Sequence, residues 1–268
     1  MVIDIIPIRN YKKVVESSIW AKDRDRLILY ADIMGFKELV RTNSHEMVKK
    51  QLMKFKNKWK EKWEVLLGGD NIRFVQYSDS ILIVENEVNE EGLDRISLAA
   101  QNLMKVAMES GFALKGCIAY GMLTFDEENE LYFGQPLIDS YLLHDELYYY
   151  GIVVHNSAER LIKKYNRVFK KNDIEKGNHP YIYSPISLKR GSSRHCHLAW
   201  NLLSSGSILP IDITRTCEMW LEEIEENVSG APRIYVDNTR KILNNDKELF
   251  EKEKISNSGD KNIEFPIK

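Results

Sequence analysis

The chain is short of the features that mark specialised classes. It has three cysteines in 268 residues, Cys117, Cys196 and Cys217. That is an odd number with no CxxC spacing, which argues against a disulfide framework. No uninterrupted apolar run approaches the ~20 residues that a membrane helix needs. Met1 is followed by neither the long apolar stretch nor the small-residue cleavage site of a secretory signal. The expectation is a cytoplasmic protein with no membrane partner. An excess of one charge is missing too: 38 Lys and Arg face 40 Asp and Glu, for a net charge of -2. No global field therefore draws the chain to nucleic acid or anionic lipid, and any polyanion it binds must be a local ligand. No repeat or low-complexity linker divides it.

What is present is an ordinary globular composition, 43% apolar and 29% charged, with length for one large domain and a sizeable core. The expected organisation is a polar lead over 1–26, a core over 27–165, a C-terminal elaboration of the same domain over 166–255 and a solvated tail over 256–268. Leu27–Ile33 reads as a buried strand. A helix follows, with Val48, Leu52, Phe55, Trp59 and Trp63 on one face, broken at Gly68-Gly69-Asp70. Ile72–Tyr77 and Ser80–Val84 read as a hairpin with Ser78-Asp79 at its tip. After an acidic loop (Glu85–Glu91), Leu93, Ile96, Ala100, Leu103, Met104 and Ala107 define a second amphipathic helix, stopped by Gly111. Phe112–Tyr120 is a fourth strand. The order is that of a ferredoxin-like βαββαβ unit within an α+β fold. Further on come strands at Leu131–Phe133, Tyr148–Val154 and Tyr181–Ile186. Helices are expected over Pro136–Leu147, Asn156–Lys164, Cys217–Asn227 and Asn238–Glu253.

The residues that carry chemistry sit at strand ends. The first strand ends Ala31-Asp32-Ile33-Met34-Gly35-Phe36, and the hairpin carries Tyr77-Ser78-Asp79-Ser80. Two carboxylates beside a helix start suit hard divalent cations and a bound triphosphate. Each aspartate also has an ordinary role open to it, Asp32 as a helix cap and Asp79 as a turn residue. Other features point nowhere further. The lysine-rich run from Lys49 to Lys62 alternates with an apolar stripe and reads as a solvated face. His195-Cys196-His197 lacks zinc-ligand spacing. His144 and His155 flank the candidate motifs, each as a lone histidine.

Together these motifs resemble class III nucleotidyl cyclases. Asp32-Ile33-Met34-Gly35-Phe36 looks like that family's metal-binding run, and Tyr77–Ser80 like its second metal aspartate. Val154-His155-Asn156-Ser157-Ala158-Glu159-Arg160 looks like its asparagine-x-alanine-x-arginine helix, with one extra residue after the valine. The resemblance covers roughly 27–165. It implies two Mn²⁺ or Mg²⁺ ions per site, bridged by Asp32 and Asp79 with the Ile33 carbonyl. It also implies that amides from Met34 to Lys37, Phe36 included, face the phosphates. Asn156 would orient the ribose, Arg160 would stabilise the α-phosphate, and Lys115 would lie near the triphosphate. The implied unit is a head-to-tail homodimer, with the aspartates from one protomer and Asn156 and Arg160 from the other.

Two base-contact positions depart from the pattern. Adenylyl cyclases usually carry a lysine and an aspartate where this chain has Val75 and Tyr149, and neither residue matches the glutamate-cysteine pair of guanylyl cyclases. The run Gly134–His144 resembles stand-alone bacterial pyrimidine cyclases of Pycsar antiphage systems. That implies UTP or CTP as substrate, a cyclic UMP or CMP product and a separate cyclic-nucleotide-sensing effector, with Tyr77 or Tyr149 narrowing the base pocket. The alternatives are an adenylate or guanylate cyclase, a degenerate nucleotide-binding domain, and another two-aspartate palm-type nucleotidyltransferase.

Overall fold

The computed structural model describes residues 20–66, 70–168, 181–201 and 210–259. The first half of the chain runs β1 (Asp23–Ile33), α1 (Phe36–Thr42), α2 (His45–Leu66), β2 (Ile72–Tyr77), β3 (Ser80–Glu85), α3 (Glu90–Glu109) and β4 (Leu114–Asp126). Then follow β5 (Leu131–Gly134), α4 (Gln135–Glu146), β6 (Gly151–Val154), α5 (Asn156–Lys164), β7 (Tyr181–Leu188), β8 (Gly191–Leu198), α6 (Pro210–Asn227) and α7 (Ala231–Gly259).

One sheet has the order β2-β3-β1-β4-β6-β8-β7, with β5 attached to β4. Its first four strands are antiparallel in the order β2-β3-β1-β4. That is the ferredoxin-like βαββαβ arrangement of an α+β fold. β6 joins β4 in parallel. β8 pairs with β6 at Val153↔His197, and β7 pairs with β8. The C-terminal strands therefore extend the sheet of the βαββαβ unit.

Alternation along β1 sets the two faces of the sheet. Leu27, Leu29, Ala31 and Ile33 join the main core with Phe55 and Trp59 of α2 and Ile96 and Leu103 of α3. Ile28 points the other way, to Leu82, Val84, Ala119 and Leu123. Tyr30 and Asp32 share that second face by the two-residue period, and α4 packs over it against β1 and β4. Each fully buried Leu or Ile is worth roughly 1.5–3 kcal/mol. A one-residue slip would turn that whole set outward, so core burial fixes the register that aims Asp32 at α4.

Several boundaries differ from those read off the sequence. β1 starts at Asp23, because β4 is 13 residues long and pairs with it as far as Asp23↔Thr124. The helix after β1 is two helices. Asn43 is extended (φ -117°, ψ 157°) and its Nδ2 donates to the Leu39 carbonyl (3.0 Å), while Ser44 Oγ accepts from the Met47 amide (3.3 Å). The acidic stretch is not all loop: Asn89 Oδ1 caps α3 by accepting from Gly92 N (2.8 Å). β6 begins at Gly151, with Tyr148–Tyr150 leading into it. β8 was not anticipated. α7 starts at Ala231 and runs through Gly259, so the first residues of the expected tail are helical. Residues 1–19 of the lead, the Gly68-Gly69 break and residues 260–268 lie outside the described residues.

His195-Cys196-His197 lies on β8, where neighbours face opposite ways. Cys196 is in the main core, and His197 Nε2 stands 3.1 and 3.0 Å from the two Asp246 oxygens. On α2, Lys49, Lys50, Lys54 and Lys56 are exposed while Val48, Phe55 and Trp59 are buried. Among the described residues no helix is long and apolar enough to cross a membrane.

Candidate active site

Asp32 lies in a row across the sheet, opposite Ser80 of β3 and Lys115 of β4. Directly paired residues in antiparallel strands share a face, so all three side chains meet under α4. Asp32 Oδ1 accepts hydrogen bonds from the Tyr30 hydroxyl (2.9 Å) and the Ser80 hydroxyl (2.8 Å). Oδ2 is 2.9 Å from His144 Nε2 on α4. The other ring nitrogen, Nδ1, faces the Tyr141 carbonyl at 2.6 Å. A carbonyl only accepts, so the Nδ1–H donates to it, and this bond orients the ring with Nε2 towards Asp32. Burial alone would raise the Asp32 carboxyl pKa. The hydrogen bonds from His144, Ser80 and Tyr30, with the His144 charge, outweigh burial and hold it below its ordinary value of 3.8.

The second aspartate is brought alongside by the β2–β3 turn. Ser78 takes a positive φ of 58°, which lets two residues close the hairpin between the paired Tyr77 and Ser80. The Ile33 amide donates to the Asp79 carbonyl (2.9 Å), tying the turn to the end of β1. Among the described residues the Asp79 carboxylate has no hydrogen-bond or ion-pair partner. Asp79, the end of β1 and Asp32 thus form one corner. Gly35, at φ 75°, turns the chain from that corner into α1 and provides no side-chain cap. One sequence expectation needs correcting here. The Met34 amide donates to the Ala113 carbonyl (2.8 Å) and is not open to a phosphate. Phe36 packs its ring against the main core, so only its backbone can face a ligand.

No three His, Cys, Asp or Glu side chains gather as a metal cluster among the described residues. For a bound ion the protein's share would be the Asp32 and Asp79 carboxylates and nearby backbone oxygen. Mg²⁺-type sites commonly use one or two carboxylates and complete the shell with water and phosphate. The unpartnered Asp79 and the remaining lone pair on Asp32 Oδ2 fit that pattern.

Lys115 is 5% exposed. Its Nζ has only long contacts with Asp145, 3.5 Å to the carbonyl and 3.8 Å to Oδ1. Burial and then the Lys189 charge lower its pKa, against the pull of Asp145 and Asp32. It is a buried cation beside the aspartate corner.

The two tyrosines expected at the base pocket part company. Tyr77, beside Asp79, is 83% exposed. Tyr149 is 2% exposed, packed with Cys117, Leu147, Val153 and Ile186, and its ring fills the space a Cβ on Gly151 would need. It belongs to the core and does not line a base pocket. Val75 packs against the cluster of Ile28, Leu82 and Val84.

Asn156 and Arg160 are both exposed on α5, four residues apart and so on one helix face. Among the described residues neither side chain makes a hydrogen bond or ion pair, and both stand open to solvent. The opposite side of α5, Ala158 and Ile162, is buried in the main core, the face of the sheet that Asp32 turns away from. Register separates the two pairs further. Gly151 is level with Lys115 and Val154 with Ile118. Asn156 therefore starts beyond a strand end ~10 Å along from the Asp32 row, and two strand spacings of roughly 4.8 Å sideways. One protomer does not bring the aspartates and the Asn156–Arg160 pair together.

Sequence reading missed three partners of Asp32: Tyr30, Ser80 and His144. Tyr30 was within reach, since i and i+2 share a strand face. His144 was not, because nothing in the sequence says which side of α4 meets the sheet.

No protein-family profile matches the chain, and no curated protein sequence matches it significantly. Among solved structures it is similar to the guanylate cyclase domain of RhGC from Catenaria anguillulae in complex with GTP. That pair shares 14% identity and a TM-score of 0.46 over 66% of this chain and 98% of that one. It is similar to the monomeric guanylyl cyclase domain of the RhoGC fusion protein from Blastocladiella emersonii, with 13% identity and a TM-score of 0.45 over 65% and 96%. It is also similar to the adenylyl cyclase CyaB from P. aeruginosa, with 15% identity and a TM-score of 0.42 over 66% and 95%.

Proposed function

We propose that this protein is a nucleotide cyclase of the class III type, acting on UTP or CTP as a homodimer with two composite sites. The observation that carries the reading is the corner where the hairpin carbonyl of Asp79 binds the Ile33 amide, one residue from Asp32. It ties the backbone of Asp79, whose carboxylate is unpartnered among the described residues, to the strand end that carries Asp32, and this supports the reading.

The reaction joins the ribose O3′ to the α-phosphorus, breaks the bond to the β-phosphate bridging oxygen, releases pyrophosphate and gives the hydroxyl proton to solvent. Asp32 and Asp79, with the Ile33 carbonyl, would hold Mn²⁺ or Mg²⁺. The chemistry such an ion would supply there is acidification of the attacking hydroxyl and neutralisation of the leaving phosphates. Lys115 adds positive charge on the same face of the sheet. From the second protomer, the Asn156 amide would orient the ribose and the Arg160 guanidinium would stabilise charge building on the α-phosphate. The separation of the two pairs within one protomer supports that division of labour.

The base preference rests on what the recognition positions lack. Val75 packs among apolar neighbours and Tyr149 is core, so neither offers a charged contact to a purine. The exposed Tyr77, two residues before Asp79, would stack on the base. By the resemblance of Gly134–His144, the product would serve a separate cyclic-nucleotide-sensing effector in antiphage defence.

The test is to incubate the protein with ATP, GTP, CTP and UTP separately, with Mn²⁺, and identify products by mass spectrometry. Cyclic UMP or cyclic CMP is expected. Cyclic AMP or cyclic GMP as the main product would overturn the pyrimidine reading, and no cyclic product from any of the four would overturn the cyclase.

A further inference from the structure

We propose that His144 is a positioning residue that fixes the Asp32 carboxylate for a divalent cation and limits it to a single metal contact. This rests on Asp32 being a metal ligand, as argued above.

An ionised carboxylate offers about four lone-pair sites. On Asp32, the Tyr30 and Ser80 hydroxyls occupy both sites of Oδ1, and His144 occupies one of Oδ2. One site is left. The Tyr30 and Ser80 hydroxyls lie 3.0 Å apart, side by side on the same carboxylate oxygen. The His144 ring lies edge-on to Tyr30 at 4.9 Å and is anchored from behind by the Tyr141 carbonyl. A carboxylate gripped on both oxygens cannot rotate to chelate, and it bridges two ions only by giving up a hydroxyl at Oδ1. In the nucleotide-free protein Asp32 therefore takes one ion, through Oδ2. A second ion depends on Asp79 and the incoming phosphates.

α4 turns Ser140 and His144, both fully or nearly buried, towards the sheet, together with buried Pro136 and the partly buried Leu137 and Leu143. The contact with Asp32 gives the buried His144 ring a polar partner on that face. Hydrogen-bond partners of metal ligands orient them and sharpen metal affinity, and His144 stands in that relation to Asp32.

The experiment is a Mn²⁺ titration of the nucleotide-free full chain, reading free ion by electron paramagnetic resonance. One Mn²⁺ per protomer is expected for the wild type. His144→Leu should weaken binding by about 10–100-fold. His144→Gln, whose amide N–H reaches the same oxygen, should recover most of it. Tyr30→Phe keeps the ring against His144 but removes one donor, and should weaken binding in the same direction; it carries the test if His144→Leu fails to fold by circular dichroism. Two ions per protomer without nucleotide, or unchanged or tighter binding in the folded variants, would overturn the proposal. Turnover is not needed for this measurement. His144-sensitive Mn²⁺ binding without any cyclic product overturns the cyclase reading alone. Cyclic product with binding indifferent to His144 overturns this inference alone.

Discussion

At the scale of single residues, β1 gives a polar side chain only two directions, and one is filled by the main core. Asp32 takes the other, where Tyr30, Ser80 and His144 wait for it. Because its carboxyl is held below the ordinary value of 3.8, these contacts stabilise the fold at pH above that value. The contribution is lost as pH falls through the lowered folded value. Urea unfolding of the wild type and Asp32→Asn at neutral pH and below pH 3.8 should show a gap in favour of the wild type that narrows in acid. A gap that widens in acid would contradict the assignment. That two aspartates, Asp32 and Asp79, stand at strand ends was legible in the sequence, because each follows an apolar run. Tyr149 was not read correctly. Its place in the core depends on how Tyr148–Tyr150 approach β6 and on the bare Gly151 beneath its ring, and neither leaves a periodic signal.

At the scale of elements, the βαββαβ order was legible because each strand is a short apolar run and α3 has a clean apolar stripe. The misses have local causes. β8 (Gly191–Leu198) is polar over its first half and exposed there, so it lacks an apolar pattern. The break at Asn43–Ser44 comes from side-chain bonds to the backbone, which compete with a continuous helix. Gly35 is the residue on which the passage from β1 to α1 turns. Nothing lies within 4 Å of where its Cβ would be, so a substitution there meets no clash and isolates the backbone cost of φ 75°. Gly35→Ala should lower stability by about 1–2 kcal/mol, measured as a shift in the urea midpoint at constant slope. A variant as stable as the wild type would contradict the left-handed turn.

At the scale of the whole molecule, the fold holds the two halves of the proposed site apart. Asp32 lies on the α4 side of the sheet, with Asp79 in the turn beside the end of its strand, and α5, with Asn156 and Arg160, packs on the other. The sequence could not show this, because both motifs are local and their separation comes from sheet order and from which face each helix covers. On the proposed reading a second copy would supply the missing pair, in a closed two-fold arrangement. The most direct test mixes two inactive variants, Asp79→Ala and Arg160→Ala, under conditions that exchange subunits, and measures cyclic nucleotide by mass spectrometry. Random pairing makes half the dimers mixed with one intact site each, so roughly a quarter of wild-type activity should return. Folded variants that exchange subunits and yet stay inactive together would contradict the composite-site cyclase.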